Sequence, residues 1–305
     1  MTLKMRPINH KLAVHAQPIW SEDPDDIAFI HSVFTSCSLP YRDLKDTPAY
    51  IKTSGRASLT VSSGYVKGVD GEPEFVGLPY GPKPRLILAH AFTEAVRRRS
   101  PEIPVGESLT AYLRDDLGAR IDTRAMRAFR EQLRRLAHAS IGIEWADPKT
   151  GKHVVTNTPP FSKLELWGSG PSNQGELWPS SVTLGAEFYE SLLSHAVPLD
   201  RRAISALQHS ARALDIYVWL AHRLHRIKAP TVLSWHALAI QFGGTAKVET
   251  KAQMKSFKDE FMRAMIQATQ VYKGAKVEKV RGGLKLHHSP PPVKTIMGKG
   301  TELPE

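Results

Sequence analysis

The 305-residue chain has one cysteine, Cys37. A single thiol cannot close an internal disulfide, which fits a reducing compartment; a small buried side chain is its plain role. The chain also lacks any run approaching the roughly 18–20 apolar residues that a membrane span requires. Met1 to Trp20 carries Lys4, Arg6 and Lys11 but no continuous apolar core and no small-residue cleavage pattern. A secretory signal is therefore not expected, and the cytoplasm is the expected location.

Catalytic motifs are equally scarce. No Gly-x-x-x-x-Gly-Lys-Ser/Thr occurs, which removes a P-loop nucleotidase. A rolling-circle nickase needs a His-hydrophobe-His metal pair with a tyrosine nucleophile, and the only adjacent histidines are His287 and His288. His222 and His225 stand three apart on an expected helix. Without a second cysteine or a nearby carboxylate they read as a packed or solvent-facing pair rather than metal ligands. Asp115-Asp116, flanked by Arg114 and Arg120, reads as a charge-paired surface. No enzyme activity, no cofactor and no metal are expected.

Against these absences stands an excess of positive charge. Lys and Arg number 41 against 30 Asp and Glu, a net +11, while 41% of residues are hydrophobic. The chain can build real cores, and its surface attracts polyanions, nucleic acid first among them.

The pattern of apolar residues gives an order of elements. Ile27, Phe29, Ile30, Val33 and Phe34 suggest a short helix that stops near Pro40. Ser58–Tyr65 alternates and is rich in β-branched residues, so it reads as a strand, returning through Glu74–Leu78 as a hairpin. A helix follows over about Arg85–Arg98. Ser108 then caps a short helix ending at Gly118, Thr123 opens a long helix, and Ser140–Trp145 with His153–Thr156 form a hairpin.

The same order returns later. Helices are expected over Glu187–Leu193 and Asp200–Gln208, and a longer one over Ser210–Arg226. Ser234 caps a short helix ending at Gly243, Thr250 opens a long one, and Ala275–Val280 with Leu284–His287 make a hairpin. Helix, capped short helix, long helix, hairpin is the plan of a winged-helix domain, and it occurs twice. The fold class expected is α+β, two tandem winged-helix domains. The boundaries read as a flexible N-terminal arm over 1–25, a first domain over 26–180, a second over 181–290 and a disordered tail over 291–305. The Gly/Pro/Ser-rich stretch Ser169–Ser181 serves as the junction.

In each copy the long helix is the expected reader of DNA. In the first, Met126, Phe129, Leu133 and Leu136 form an apolar stripe. Opposite lie Arg124, Arg127, Arg134 and Arg135, within a stretch from Arg120 to His138 that holds six arginines and two acids. Arginine's planar fork suits phosphates and guanine edges. In the second, Met254, Phe257, Phe261 and Met265 face inward. Lys255 and Arg263 lie away from that stripe, with Lys251 and Lys258 on its flank. Lys251, Gln253 and Lys255, near the start of the helix, are the favoured base contacts. The wing tips offer Lys152 and Arg281 as backbone contacts, or are ordinary exposed hairpins. A Lys/Arg row opposite an apolar stripe is in general a solvated face. Its recurrence on two helices of a chain of net +11 shifts the reading to DNA.

Longer stretches carry a resemblance. Phe34-Thr-Ser-Cys-Ser-Leu-Pro-Tyr41, Gly77-Leu-Pro-Tyr-Gly-Pro-Lys-Pro-Arg-Leu86, Ser100-Pro-Glu-Ile-Pro-Val-Gly106 and Ala213-Leu-Asp-Ile-Tyr-Val-Trp-Leu-Ala-His-Arg-Leu224 resemble the plasmid-encoded RepA replication initiators. So do Ser234 through Gly243, Gly282–Leu286 and Ser289-Pro-Pro291. The resemblance covers about Phe29 to Val293. It implies a bacterial cytoplasmic protein that binds repeated origin sites (iterons) in double-stranded plasmid DNA and helps open an adjacent AT-rich segment. It also implies recruitment of the host initiator and replicative helicase, and copy control through a homodimer joined by the N-terminal domain. The alternative is a transcriptional repressor that binds an operator without initiating anything. A nicking initiator is a remoter third.

Overall fold

The computed structural model describes residues 18–55, 57–68, 70–104, 111–116, 123–146, 153–167, 178–244 and 248–293. Several expectations lie outside these residues: most of the N-terminal arm, the ends of the Ser108–Gly118 helix, the turn 147–151, Lys152, the stretch 169–177 and the tail from 294.

After a helical turn at residues 18–21 come β1 (Ile27–His31) and α1 (Val33–Ser36), where the sequence pattern suggests one helix. β1 pairs antiparallel with β11 (Ala196–Asp200), from Ile27 opposite Asp200 to His31 opposite Ala196. Its partner is remote in sequence, so a local window does not register it. β2 (Ala49–Ser54) and β3 (Ala57–Ser62) follow. Then come β4 (Tyr65–Lys67) and β5 (Pro73–Phe75), which pair as a short hairpin of their own, while the hairpin expected between Ser58–Tyr65 and Glu74–Leu78 does not form. β3 itself turns to β2 on one side and to β7 on the other.

α2 (Pro82–Arg98) carries two prolines in its first turn, where a missing N–H costs nothing. β6 (Glu102–Pro104) and a π-helical turn over Tyr112–Asp116 lead to α3 (Thr123–Ala137). β7 (Ser140–Ala146) and β8 (His153–Thr158) pair as the expected hairpin. β9 (Phe161–Trp167) and β10 (Trp178–Leu184) form a second hairpin that the sequence pattern does not announce, so the expected boundary at 180 falls inside a paired strand. The first half holds a four-stranded sheet ordered β2-β3-β7-β8 and a three-stranded sheet ordered β6-β10-β9.

In the second half α4 (Ala186–His195), α5 (Arg201–Ala206) and α6 (Ala211–Arg223) appear as expected, with β11 between the first two. Ser210 caps α6 by accepting from the Ala213 N–H. β12 (Thr231–Ser234), α7 (Trp235–Phe242), α8 (Lys251–Val271), β13 (Val277–Val280) and β14 (Gly283–Leu286) are the last elements among the described residues. β14 pairs with β13 in a hairpin and with β12 on its other side.

The two halves share an order of helices but differ in their sheets. β12, between α6 and α7, joins the second strand of its hairpin. Its positional counterpart β6, between α2 and the π turn, pairs instead with β10. Strand partners are chosen by long-range geometry, which a repeated helical pattern does not encode.

One buried core runs through both halves. Tyr217, Phe92, Phe188 and Phe261 are its largest wholly buried side chains. Met126, Phe129, Leu133 and Leu136 do face it from α3, with Met126 only partly covered, as do Phe257, Phe261 and Met265 from α8. Cys37 is buried, and burial pushes its thiol up to about 11. The expected disordered tail begins too early at 291. Pro290 accepts a hydrogen bond from the Tyr272 hydroxyl at 2.7 Å, and Val293 is 2% exposed. Pro290, Pro291 and Pro292 thus lie beside the end of α8, lining a cavity with Val271 and Tyr272.

Candidate nucleic-acid interface

α8 owes its start to a reciprocal cap. Thr250 Oγ1 accepts from the Gln253 N–H at 3.1 Å, and Gln253 Oε1 accepts from the N–H groups of Thr250 and Glu249 at 2.9 and 3.0 Å. Such a cap is worth about 1 kcal/mol and fixes where the helix begins. The inner stripe anchors it next. Phe261 meets Phe242, Phe257 and Trp235 with ring centroids 5.3, 5.5 and 6.3 Å apart. The opposite face, Lys251, Gln253, Lys255, Ser256 and Arg263, is exposed.

Three of the expected contact residues come together. Lys251, Lys255 and Lys258 line an open groove of about 640 Å³, shared with His236, Val248, Glu249, Thr250 and Met254. Lys258 Nζ lies 5.5 Å from the centre of the Trp235 ring, so a cation–π contact holds one wall of the groove in place. Gln253 stands at the same end, but its side-chain oxygen is committed to the cap; only its amide nitrogen is left to offer. Arg263 lies about 18 Å from Lys251 along the helix at 1.5 Å per residue, where its Nε donates to the Asp259 carbonyl.

The β13–β14 tip reaches this same end. The Trp235 N–H donates to the Gly282 carbonyl at 3.1 Å, which ties the tip to the first turn of α7. His236, exposed on α7, lines the groove, and Arg281 is exposed at that tip. His236 escaped the sequence reading. Its signal was available: it is the second residue of a capped helix that precedes the long one.

α3 presents a different picture. Arg124 and Arg127 are exposed near its start. Arg134 pairs with Glu74 at 2.9 Å and reaches Glu131 at 3.9 Å. Arg135 donates to Glu131 at 2.7 Å, to Asp43 at 3.1 Å and to the Leu78 carbonyl at 3.1 Å, and it stacks over Tyr80. Burial opposes its charge, but the hydrogen bonds to Glu131 and Asp43 outweigh burial and raise its pKa. The expectation that Arg134 and Arg135 face a ligand therefore meets side chains already engaged by their own protein. The helical wheel puts them opposite the apolar stripe correctly; the 74–80 segment then folds over that face. Gln132 confirms the cover by accepting from the Tyr80 N–H at 2.9 Å.

A further element of the architecture went unread. Arg85 on α2 is buried against Asp215 on α6, and both sit inside apolar runs. A lone charge of each sign within LILAHAF-like and ALDIYVWL-like stretches was the available signal.

His222 and His225 contact each other edge to face, with centroids 6.5 Å apart. His222 Nδ1 lies 3.3 Å from the Thr35 hydroxyl, and His225 Nδ1 lies 2.9 Å from the Ala221 carbonyl. Asp115 pairs with Arg114 at 2.7 Å. Among the described residues no helix is long and apolar enough to cross a membrane, and no three side chains gather as a metal cluster.

Comparison with known proteins bears on these elements. A family model described as plasmid encoded RepA protein matches residues 78–237, from just before α2 into α7. In fold the chain is similar to the crystal structure of selenomethionine derivatives of domains 2 and 3 of RctB. That similarity has a TM-score of 0.52 at 11% identity, over 87% of this chain and 97% of that one. A second RctB structure of domains 2–3 aligns with a TM-score of 0.47 at 11% identity, over 83% and 94% of the two chains. No sequence among curated proteins matches significantly.

Proposed function

Because the chain belongs to the plasmid-encoded RepA protein family, we propose that it initiates plasmid replication by binding repeated sequences in double-stranded origin DNA. In this reading both halves are winged-helix units, the first carrying an enlarged sheet, and α8 is the principal reading helix. The observation that carries it is the groove at the start of α8. There Lys251, Lys255 and Lys258 converge beside a tip that bears Arg281. That arrangement sets cations for phosphates beside an exposed helix face narrow enough for a major groove.

In α3 the contacts fall to Arg124 and Arg127. The protein acts by binding and distorting DNA, without a catalytic step of its own. The adjacent AT-rich segment opens as a consequence, and host initiator and helicase are brought to it. Its place is the bacterial cytoplasm, where a homodimer through the first half would set copy number.

The test is footprinting of the purified chain on its plasmid's origin, together with permanganate probing of strand opening. Protected direct repeats with reactive thymines beside them are the expected result. Protection without opening would favour the operator-binding repressor, and strand cleavage with a divalent metal would favour a nickase. No protection at any salt concentration would remove the reading altogether.

A further inference from the structure

The far end of the β13–β14 hairpin gathers positive charge of its own. α6 ends in His222 and Arg223, the following turn adds His225 and Arg226, and Lys228 follows, exposed. The chain after β14 returns to this point. The Ser289 N–H donates to the Leu224 carbonyl at 3.2 Å, which lays exposed His288 beside the turn. β14 itself spans about 10 Å from the tip, given roughly 3.3 Å of rise per residue, and His288 lies two residues past its end.

Among the described residues no carboxylate pairs with these charges. Arg223 packs 6.0 Å from the Trp219 ring centre, and its Nε is buried without a hydrogen-bond partner. Arg226 donates to the His225 ring, at 3.3 Å. Burial lowers the pKa of Arg223 and of Arg226, and no acid offsets it. The acid on the adjoining strand, Glu278, faces His287 at 3.5 Å. The helix dipole at the end of α6 supplies about half an elementary negative charge. Three formal cations, Arg223, Arg226 and Lys228, stand against it.

A half-buried guanidinium such as that of Arg223, with its Nε left unpaired, is costly to the fold. An external anion would relieve that cost, and a planar fork matches phosphate oxygens. We propose that Arg223, Arg226 and His288 form a second phosphate-contact site, at the base of the hairpin, that takes the backbone of duplex DNA. This inference rests on the DNA-binding reading given above and adds a surface that the reading helix does not reach.

Each phosphate contact contributes about 0.9 to the slope of log affinity against log salt. Arg226→Gln with His288→Gln alters two exposed side chains and leaves the half-buried Arg223 in place; urea melts verify that the fold is kept. Fluorescence anisotropy with duplexes of several sequences should show affinity falling alike for all of them and the salt slope shrinking by one to two. Lys251→Gln with Lys255→Gln should shrink it separately, and the four changes together should add. A parallel titration with inorganic phosphate, followed by the histidine ring NMR signals, separates a duplex contact from a free-anion site. An unchanged slope in the Arg226/His288 variant, with or without a phosphate-induced shift of His288, overturns the proposal while leaving α8 as the reader. Failure of the unaltered protein to bind duplex at all removes the α8 reading instead, and this site with it.

Discussion

Arg85 and Asp215 form a two-pronged ion pair across α2 and α6, with Nε to Oδ1 at 2.7 Å and Nη2 to Oδ2 at 2.8 Å. The guanidinium also donates to the carbonyls of Gly81, Leu39 and Pro40, at 2.6, 2.7 and 3.3 Å. Tyr41 lies against it on one side and against Arg212 on the other, with ring centres 5.1 and 4.9 Å away. Every donor of a buried charge is thereby satisfied, and a helix from each half and the loop before Tyr41 are bound to one group.

Removing only the carboxylate should be severe. Asp215→Ala leaves Arg85 charged, buried and short of its counter-ion, a loss of roughly 3–5 kcal/mol. Urea unfolding would show it as a lower midpoint. The double replacement Arg85→Met with Asp215→Leu should cost clearly less, because no stranded charge remains. Equal losses in the two variants would mean that the pair matters for its shape rather than its charge.

The DNA-contact residues separate into two classes. Lys251→Ala with Lys255→Ala, or Arg124→Ala with Arg127→Ala, should weaken binding while the melting curve stays in place. A lost base contact costs about 1–3 kcal/mol and relaxes specificity, whereas a lost phosphate contact lowers affinity for every sequence. Arg135→Ala should do the reverse, lowering stability through Glu131, Asp43 and Leu78. Anisotropy and thermal melts on the same three variants decide the matter.

Glycines at the hairpin tip make a sharp pair. A Cβ at Gly283 would sit 1.8 Å from the Leu233 carbonyl oxygen, where β12 pairs with β14, whereas one at Gly282 meets nothing within 4 Å. Gly283→Ala should therefore break that pairing and lower the melting temperature, by roughly 1–3 kcal/mol of stability as for overpacked cores. Gly282→Ala should be nearly silent. Similar melts for the two would argue against the β12–β14 register.

Acid should unfold the protein through buried histidines. Burial, aided by His195, lowers His31 to about 3; burial and nearby cations lower His222 to about 3; burial chiefly lowers His90 to about 4. In the unfolded chain each takes its proton near 6.5. The unfolded state thus binds more protons between 6.5 and these values, so stability is whole above about pH 6.5 and falls as pH drops through that window. His31 shows why: its Nδ1 accepts from the Val33 N–H at 3.1 Å, an acceptor that protonation removes. Each such histidine contributes a slope of up to ~1.4 kcal/mol per pH unit. Urea titrations from pH 7.5 to 4.5 measure it, and a flat profile would contradict neutral, buried rings.

Core truncation should act on folding before binding. Phe129 and Phe257 are 6% and 5% exposed. Replacing either by alanine should cost about 3–5 kcal/mol. Any fall in DNA affinity should then track the unfolded fraction.

What a sequence shows depends on how far apart the interacting residues lie. Thr250 and Gln253 are three apart, so the cap of α8 was readable without any structure, and so were the Ser210 and Ser234 caps. The stripes on α3 and α8 follow from helical period alone. β1 was misread because its partner β11 belongs to the other half, and β12 went unseen for want of its match in β14. Arg134 and Arg135 were legible as outward-facing, but the segment that covers them was not.

The amino-acid order by itself determined most of the helices, the caps that start several of them and which side of each is apolar, because those depend on neighbours within a turn. Only the tertiary structure decided which strands meet, which arginines remain open to a ligand, and that Arg85 and Asp215 join the halves. Those outcomes depend on groups scores of residues apart, whose encounter is set by packing of the whole chain.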